Sequence, residues 1–399
     1  MRLSRETIMA AFQQAAALAA AGNHAGAAAL WREIAEAAPA SAEAWHNLGR
    51  SLAAMERYDQ AEAAYRDALA RRPDALWANR SLAGLLQRLG RWREAEPVLA
   101  NALRLAPDDP NVRTDYGHLV LGLGDFARGW PLYESRKDVA SHGSPRLPLP
   151  NEWQGEPLAG KSLLIWPEQG FGDQIQFARF APMLQAAGAD VTLVCPPELA
   201  DLLRQLPVRV VEQAGSTTLP VCDHWTLVMS VPGRLGLSLA DISGAAYFNA
   251  PSDRRERLAA HAPPGAIGIA WRGRPTHPND AHRSLASART LSGPLEAQGF
   301  SVVDLSGGAG DFADLAAIVE QLDLVVTVDT ALAHLAGALG KPCWVLLPWY
   351  QQDWRWLQDR EDSPWYDTVR LFRQAPGEAW DPVIARVCAA LEERKAQLV

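Results

Sequence analysis

The chain has 399 residues, 48% hydrophobic and 21% charged, enough for two or three domains. That apolar share, with 30 Gly and 28 Pro, excludes a disordered or collagenous chain. Thirty-eight basic against 46 acidic side chains leave a net charge of −8, which opposes a nucleic-acid partner in the absence of a local basic patch.

At the N-terminus, Arg2 and Arg5 precede an alanine-rich run in the manner of a leader, but Gln13 and Gln14 interrupt it. The run belongs instead to a repeat. Pro39, Pro73 and Pro107 are spaced by 34 residues, as are Ala27, Ala61, Ala95 and Gly129. Trp31, Tyr65, Leu99 and Tyr133 keep the same step, and so do Leu18, Leu52, Leu86 and Val120. Within a unit, Trp45, Leu48, Gly49 and Leu52 present one helical face, and a second helix follows that the proline stops. The unit from Ala42 to Ala75 resembles the tetratricopeptide repeat, and the resemblance extends over about residues 8–141 as four units with degenerate ends. It implies a solenoid whose groove holds a peptide or protein; bracing a neighbouring domain, or dimerising, is the alternative. The domain is expected to span 1–140.

Residues 141–160, with Pro145, Pro148, Pro150 and Pro157, read as a Pro-rich, semi-rigid linker. From Lys161 short apolar runs alternate with helical stretches. Strands are expected at 162–166, 191–195, 208–211 and 225–229, then at 266–271, 301–305, 324–328, 343–347 and 369–372. Pro263, Pro264 and Gly265 divide this α/β module into two Rossmann-like lobes, 161–262 and 263–399.

Ligands of open α/β sheets sit beyond the carboxyl ends of strands, so the loops there are the candidates. After the first strand come Gly170, Gly172 and Asp173; the glycines permit close approach, and Asp173 either caps the next helix or stands free as a base. In the second lobe Asp329, Thr330, Ala331, Leu332 and His334 open a small-residue helix whose exposed amides suit a diphosphate. Arg272, Arg283 and Ser284 follow the second lobe's first strand, and an arginine fork there suits phosphate oxygens. Trp349 to Trp356 is aromatic-rich and either stacks a base or sugar or packs lobe on lobe; Asp353 and Arg355 are its candidate ligand-binding residues.

The Gly-x-Gly-Asp loop together with Asp329-Thr330-x-x-x-His334-x-Ala336-x-Ala338-Leu339-Gly340-x-Pro342 resembles the family 9 glycosyltransferases, the heptosyltransferases and their relatives, over about residues 161–399. The tandem with repeats is similar to bacterial transferases that glycosylate proteins such as flagellin and, in organisation only, to protein O-GlcNAc transferases. The resemblance implies a GT-B module and an inverting, metal-independent enzyme using a nucleotide-sugar as co-substrate. Asp173 would be its general base. Gly170, Gly172, Arg272, Arg283, Ser284, Asp329, Thr330, Ala331, Leu332, His334, Asp353 and Arg355 would line its donor side. Ala331 and Leu332 stand where heptosyltransferases often carry Gly and Pro, which puts a heptose donor in doubt.

The reading therefore expects an all-α tetratricopeptide solenoid followed by a GT-B module that moves a sugar onto a protein hydroxyl. Its rivals are a non-catalytic scaffold and a transferase with a lipid or saccharide acceptor. Asp173 and the Thr330 turn should face each other across a gap sized for a sugar. His277 and His282 have no ligand cluster beside them, so no metal and no cofactor are expected. Gly308, Ala309 and Gly310 outline a dinucleotide fingerprint without a redox residue set. Cys195, Cys222, Cys343 and Cys388 lie far apart and no stretch of about 18 apolar residues occurs, which points to a cytoplasmic chain without membrane insertion.

Overall fold

The computed structural model describes residues 5–215, 219–307 and 310–397. By its contacts the chain divides into two compact units, Met1–Leu123 and Gly124–Val399. Arg2, Gly308 and Ala309, on which the leader and dinucleotide readings partly rest, lie outside the described residues.

The first unit is a run of antiparallel helices: Arg5–Ala20, His24–Ala37, Ala42–Ala54, Tyr58–Arg71, Leu76–Arg88, Trp92–Leu105 and Pro110–Gly122. Their starts repeat the 34-residue step seen in the sequence, at 42, 76 and 110 and at 24, 58 and 92. Each unit's second helix ends at Ala37, Arg71 or Leu105, and the next residue, which precedes the repeated proline, leaves the helical region because a following proline disfavours it. Between paired helices the chain turns through a left-handed residue at Gly22, Glu56 and Gly90. Ala27, Ala61 and Ala95 are fully buried, and a Cβ on Gly49 would come within 2.6 Å of the Tyr65 ring. Small residues are thus what lets paired helices close on one another. Leu52, Leu86, Leu99 and Val120 fill the space between, each worth about 1.5–3 kcal/mol of burial.

The boundary differs from the expected 140. The Phe126–Tyr133 helix keeps the repeat register, yet it belongs to the second unit. Its aromatic face decides this. Phe126 and Trp130 pack on Trp354, and Phe126 on Trp365, at centroid distances of 5.1–6.2 Å including their own pair, while the Trp130 indole donates to the Leu237 carbonyl at 3.0 Å. The segment 141–160 is not a bare linker either. Trp153 and Leu158 are buried, Leu147 and Leu149 pack on the core beneath the first sheet, and Glu152 bridges to Trp225.

The first sheet takes β1 (Ser162–Trp166), β2 (Asp190–Cys195), β3 (Arg209–Glu212) and β4 (His224–Leu227) in the order β3-β2-β1-β4, all parallel. The second takes β5 (Ile267–Ala270), β6 (Val302–Asp304), β7 (Leu324–Val328), β8 (Cys343–Leu347), β9 (Asp362–Ser363) and β10 (Tyr366–Arg373) in the order β6-β5-β7-β8-β10-β9. Only the short β9, absent from the sequence reading, runs antiparallel. β1 is flanked by β2 and β4, and β5 by β6 and β7, so each sheet reverses its winding beside its own first strand. Those two switch points are where an α/β sheet leaves a crevice. Continuous Val/Ile/Leu runs form these strands because helices cover both faces; β7 and β8 are buried along their whole length.

Candidate functional site

From β1 the chain passes through Trp166 to Gly170 and enters the Phe171–Ala178 helix. The left-handed residue in this loop is Gln169, at φ 60°, and neither glycine. Gly170 is extended, whereas Gly172 is required for space: a Cβ there would lie 2.7 Å from the His334 ring and 3.2 Å from Ala331 Cα. The two candidate helix starts are therefore packed on one another, with no gap at this point of the kind the sequence reading expected.

Asp173 caps its helix, the first of the two sequence readings, and its second oxygen is held by an arginine rather than standing free. Its Oδ2 accepts from the Gly170 amide at 2.8 Å, reaching back from the helix's third residue to its cap, and its Oδ1 accepts from Arg355 Nη2 at 2.5 Å. Each oxygen keeps lone-pair capacity beyond one such bond, and the side chain remains 19% exposed. Burial pushes its carboxyl above the usual carboxylate range and Asp353 adds to the rise, against the pull of the Arg355 guanidinium.

Arg355 is itself buried. Its Nη1 reaches both oxygens of Asp353 at 3.0 and 2.9 Å, its guanidinium stacks 4.7 Å over Trp354, and its Nε has no hydrogen-bond partner among the described residues. Burial works against the charge of Asp353, but Arg355 holds that carboxyl below its ordinary value. Asp329, at the end of β7, is pushed up to about 6 by burial, with Asp353 adding and Arg283 opposing. Arg283 lies across Gly273 and donates from Nη1 to the Asp329 carbonyl at 2.9 Å. Ser284 accepts from the Gly273 amide and donates to Asp280. The loops after β1, β5, β7 and β8 thus bring Asp173, Arg283, Asp329, Asp353 and Arg355 into one charged cluster.

Other candidates have different surroundings. Thr330 starts the Ala331–Ala338 helix without capping it; its hydroxyl pairs with Thr327 at 3.1 Å. Leu332 is buried. His334 is buried too, with Nδ1 3.0 Å from the Tyr366 hydroxyl and its ring stacked on Trp356. Burial, with Arg355 nearby, lowers its pKa to about 3, so it is a neutral packing group rather than a cation for phosphate. Arg272 is exposed and lies over Trp271 at 4.9 Å. In the aromatic stretch, Trp354 and Trp356 pack inside the module.

Two residues behind the cluster escaped the sequence reading. Arg136 and Glu168 form an ion pair with side chains 0% and 1% exposed, at 2.6 Å from Nη2 to Oε1. Glu168 also accepts from the Met229 amide, Arg136 also donates to Ser230, and Gln169 donates to the Tyr133 hydroxyl. The loop that carries Asp173 is therefore clamped from below by the 126–138 segment and the end of β4. Nothing in the spacing of Arg136 marks it, since its partner lies 32 residues on in another element. Among the described residues no group of three or more His, Cys, Asp or Glu is placed to hold a metal ion, and no helix is long and apolar enough to cross a membrane.

Residues 277–346 match the family model for glycosyltransferase family 9 (heptosyltransferase). Residues 12–75 and 52–114 match two tetratricopeptide-repeat models. Among curated proteins, Protein FlbA of Caulobacter vibrioides is 26% identical over 330 residues, 69% of this chain and 54% of FlbA. The chain thus spans about half the length of that relative. Among solved structures, the Yersinia enterocolitica type III secretion chaperone SycD in complex with a peptide of the translocator YopD is 20% identical, covering 30% of this chain and 95% of its own, with a TM-score of 0.28. MamA of Desulfovibrio magneticus RS-1 is 19% identical, covering 34% and 76%, with a TM-score of 0.31. N-terminal helices that match tetratricopeptide-repeat models thus precede an α/β module of which residues 277–346 match the glycosyltransferase family 9 model.

Proposed function

We propose that the 124–399 module moves a glycosyl group from a nucleotide-sugar to an acceptor hydroxyl, and that the repeats recruit the protein or peptide bearing that hydroxyl. The observation that carries this reading is the cluster itself: an acidic group from the first lobe's switch point meets arginines and a helix start from loops of the second lobe. Asp173 takes the acceptor proton as the new bond to the anomeric carbon forms and the bond to the donor phosphate breaks. Arg283 and the amides that open the Ala331–Ala338 helix meet the charge on the departing phosphate, the roles that fixed cations and oriented dipoles serve without reorganising. Arg283 already supplies fixed positive charge there, which supports a metal-independent reaction, and the resemblance to family 9 implies inversion at the anomeric carbon. Four unpaired cysteines fit a reducing compartment.

A panel of nucleotide-sugars screened for transfer and for donor hydrolysis tests the reading. Asp173→Ala should lower turnover by about 10²–10⁴-fold, the worth of a positioned general base; full activity in that variant would remove Asp173 from the role. Removing residues 1–123 should abolish transfer to a protein while sparing donor hydrolysis, and equal transfer with and without the repeats would point to a small saccharide acceptor. One observation favours a non-catalytic scaffold: both Asp173 oxygens are already engaged. Donor binding without turnover across the whole panel would select that alternative.

A further inference from the structure

Arg355 stands in the second lobe's sequence, between β8 and β9, yet its guanidinium is inserted into the first. Beyond Asp173 it lies 5.7 Å from the Phe177 ring centroid and 3.9 Å from Met229 Sδ, both first-lobe groups. Its own lobe holds it through the bidentate Asp353 contact and through the turn at Trp354–Trp356, where Asp353 also accepts from the Arg355 amide at 2.9 Å. Trp365 donates to the Arg355 carbonyl at 2.9 Å, which fixes the backbone. A planar fork gripped at one edge by Asp353 has its other edge aimed at Asp173 Oδ1.

We infer that Arg355 is the positioning residue for the Asp173 base: carried by one lobe and inserted into the other, it orients the carboxylate and keeps it ionised. The inference rests on Asp173 being the base. A buried carboxylate with no counter-charge would hold its proton and could not take another. Arg355 supplies that counter-charge and leaves the lone-pair capacity of Oδ1 that it does not use for an acceptor hydroxyl. Because the pair spans the two lobes, the tuning of Asp173 depends on the packing of one lobe against the other. The charged or titratable groups that face Asp173 are Arg355 and Asp353 from the 353–356 turn, Tyr133 from the Phe126–Tyr133 helix and His277 from the loop after β5. Of these, Arg355 alone lowers its proton affinity through a direct contact, and Asp353 raises it.

The two neighbours therefore make opposite predictions. In the full chain labelled with carboxyl-¹³C aspartate, the Asp173 resonance is assigned by its loss in Asp173→Asn and titrated with pH. Arg355→Met should raise its midpoint by about one to three pH units, the effect of losing an adjacent opposite charge. Asp353→Asn should lower it, and Arg355→Lys should restore it towards the native value. A merely structural Arg355 would leave the midpoint in place or move it the same way in all variants, and either result overturns the inference. Should Arg355→Met fail to fold, the Asp353→Asn and Arg355→Lys pair decides, because the first must fall below the native midpoint and the second must not. The titration needs neither donor nor turnover, so a failed transfer screen counts against glycosyl transfer and leaves this result standing. Where transfer is seen, the acid limb of kcat/KM should follow the same order.

Discussion

The repeat unit and the charged cluster hold themselves together over different distances along the chain. In the repeats, tertiary contacts link residues about one period apart: His46 Nε2 lies 2.9 Å from Ser81 Oγ and Arg80 pairs with Asp115, each 35 residues on. In the cluster, Arg355 meets Asp173 across 182 residues and Arg283 meets Asp329 across 46. The repeats solve packing by repeating one local solution, so their stability is a sum of similar small terms. The cluster gathers like and unlike charges in a partly buried place, where each partner's removal leaves another exposed to the full cost of burial.

Single substitutions should therefore cost most in the clamp beneath the cluster. Glu168→Gln or Arg136→Met breaks a pair with side chains 1% and 0% exposed, and should cost about 3–5 kcal/mol, because one charge stays buried without its counterpart. Denaturant unfolding followed by the tryptophans reads this out; a loss below about 1 kcal/mol, the range of surface pairs, would put the two regions on the same footing.

A second test sharpens the comparison through pH. Burial lowers the His46 pKa from 6.5 to about 4, so between those values the unfolded chain binds the proton and the fold does not. The repeats should therefore lose stability as pH falls from about 6.5 to about 4, by up to about 3 kcal/mol. His46→Gln should flatten that dependence in thermal melts, and an unchanged slope would show that the histidine is not the cause.

Smaller effects belong to the periodic packing. Gly49→Ala puts a Cβ 2.6 Å from the Tyr65 ring and should cost about 1–3 kcal/mol as an overpacked contact. A wild-type melting temperature for that variant would mean the helix pair yields more than its fit implies. Smallest of all, Arg91→Ala removes a partly exposed fork between Glu62 and Glu94 and should cost less than about 1 kcal/mol, with the loss shrinking further in high salt.

Legibility in the sequence followed the same divide. The 34-residue columns gave the helix pairs and their turns, and the Val/Ile/Leu runs located β1 to β8 and β10 to within a few residues. β9, two residues long, has no run to reveal it. Asp173, Arg283, Asp329, Asp353 and Arg355 were legible as candidates because they sit in loops after strands or in a polar-aromatic stretch. Their pairing was not, and neither was the burial of His334, which looks in sequence like a ligand and in the fold packs between Tyr366 and Trp356. The Phe126–Tyr133 helix shows the limit most clearly: its register is that of a repeat, and only the aromatic residues it meets assign it to the second unit.

What the sequence determined unaided was therefore local and periodic: helix pairs from a recurring apolar face, buried parallel strands from uninterrupted branched residues, and turns from glycine and proline. Those properties depend on neighbours within a few tens of residues, which a pattern records. Tertiary structure alone decided which charges share a site, which oxygen of Asp173 faces Arg355, and which histidine is sealed from water. Such outcomes depend on distances between elements far apart in the chain, and on the dielectric their packing creates, neither of which any single segment encodes.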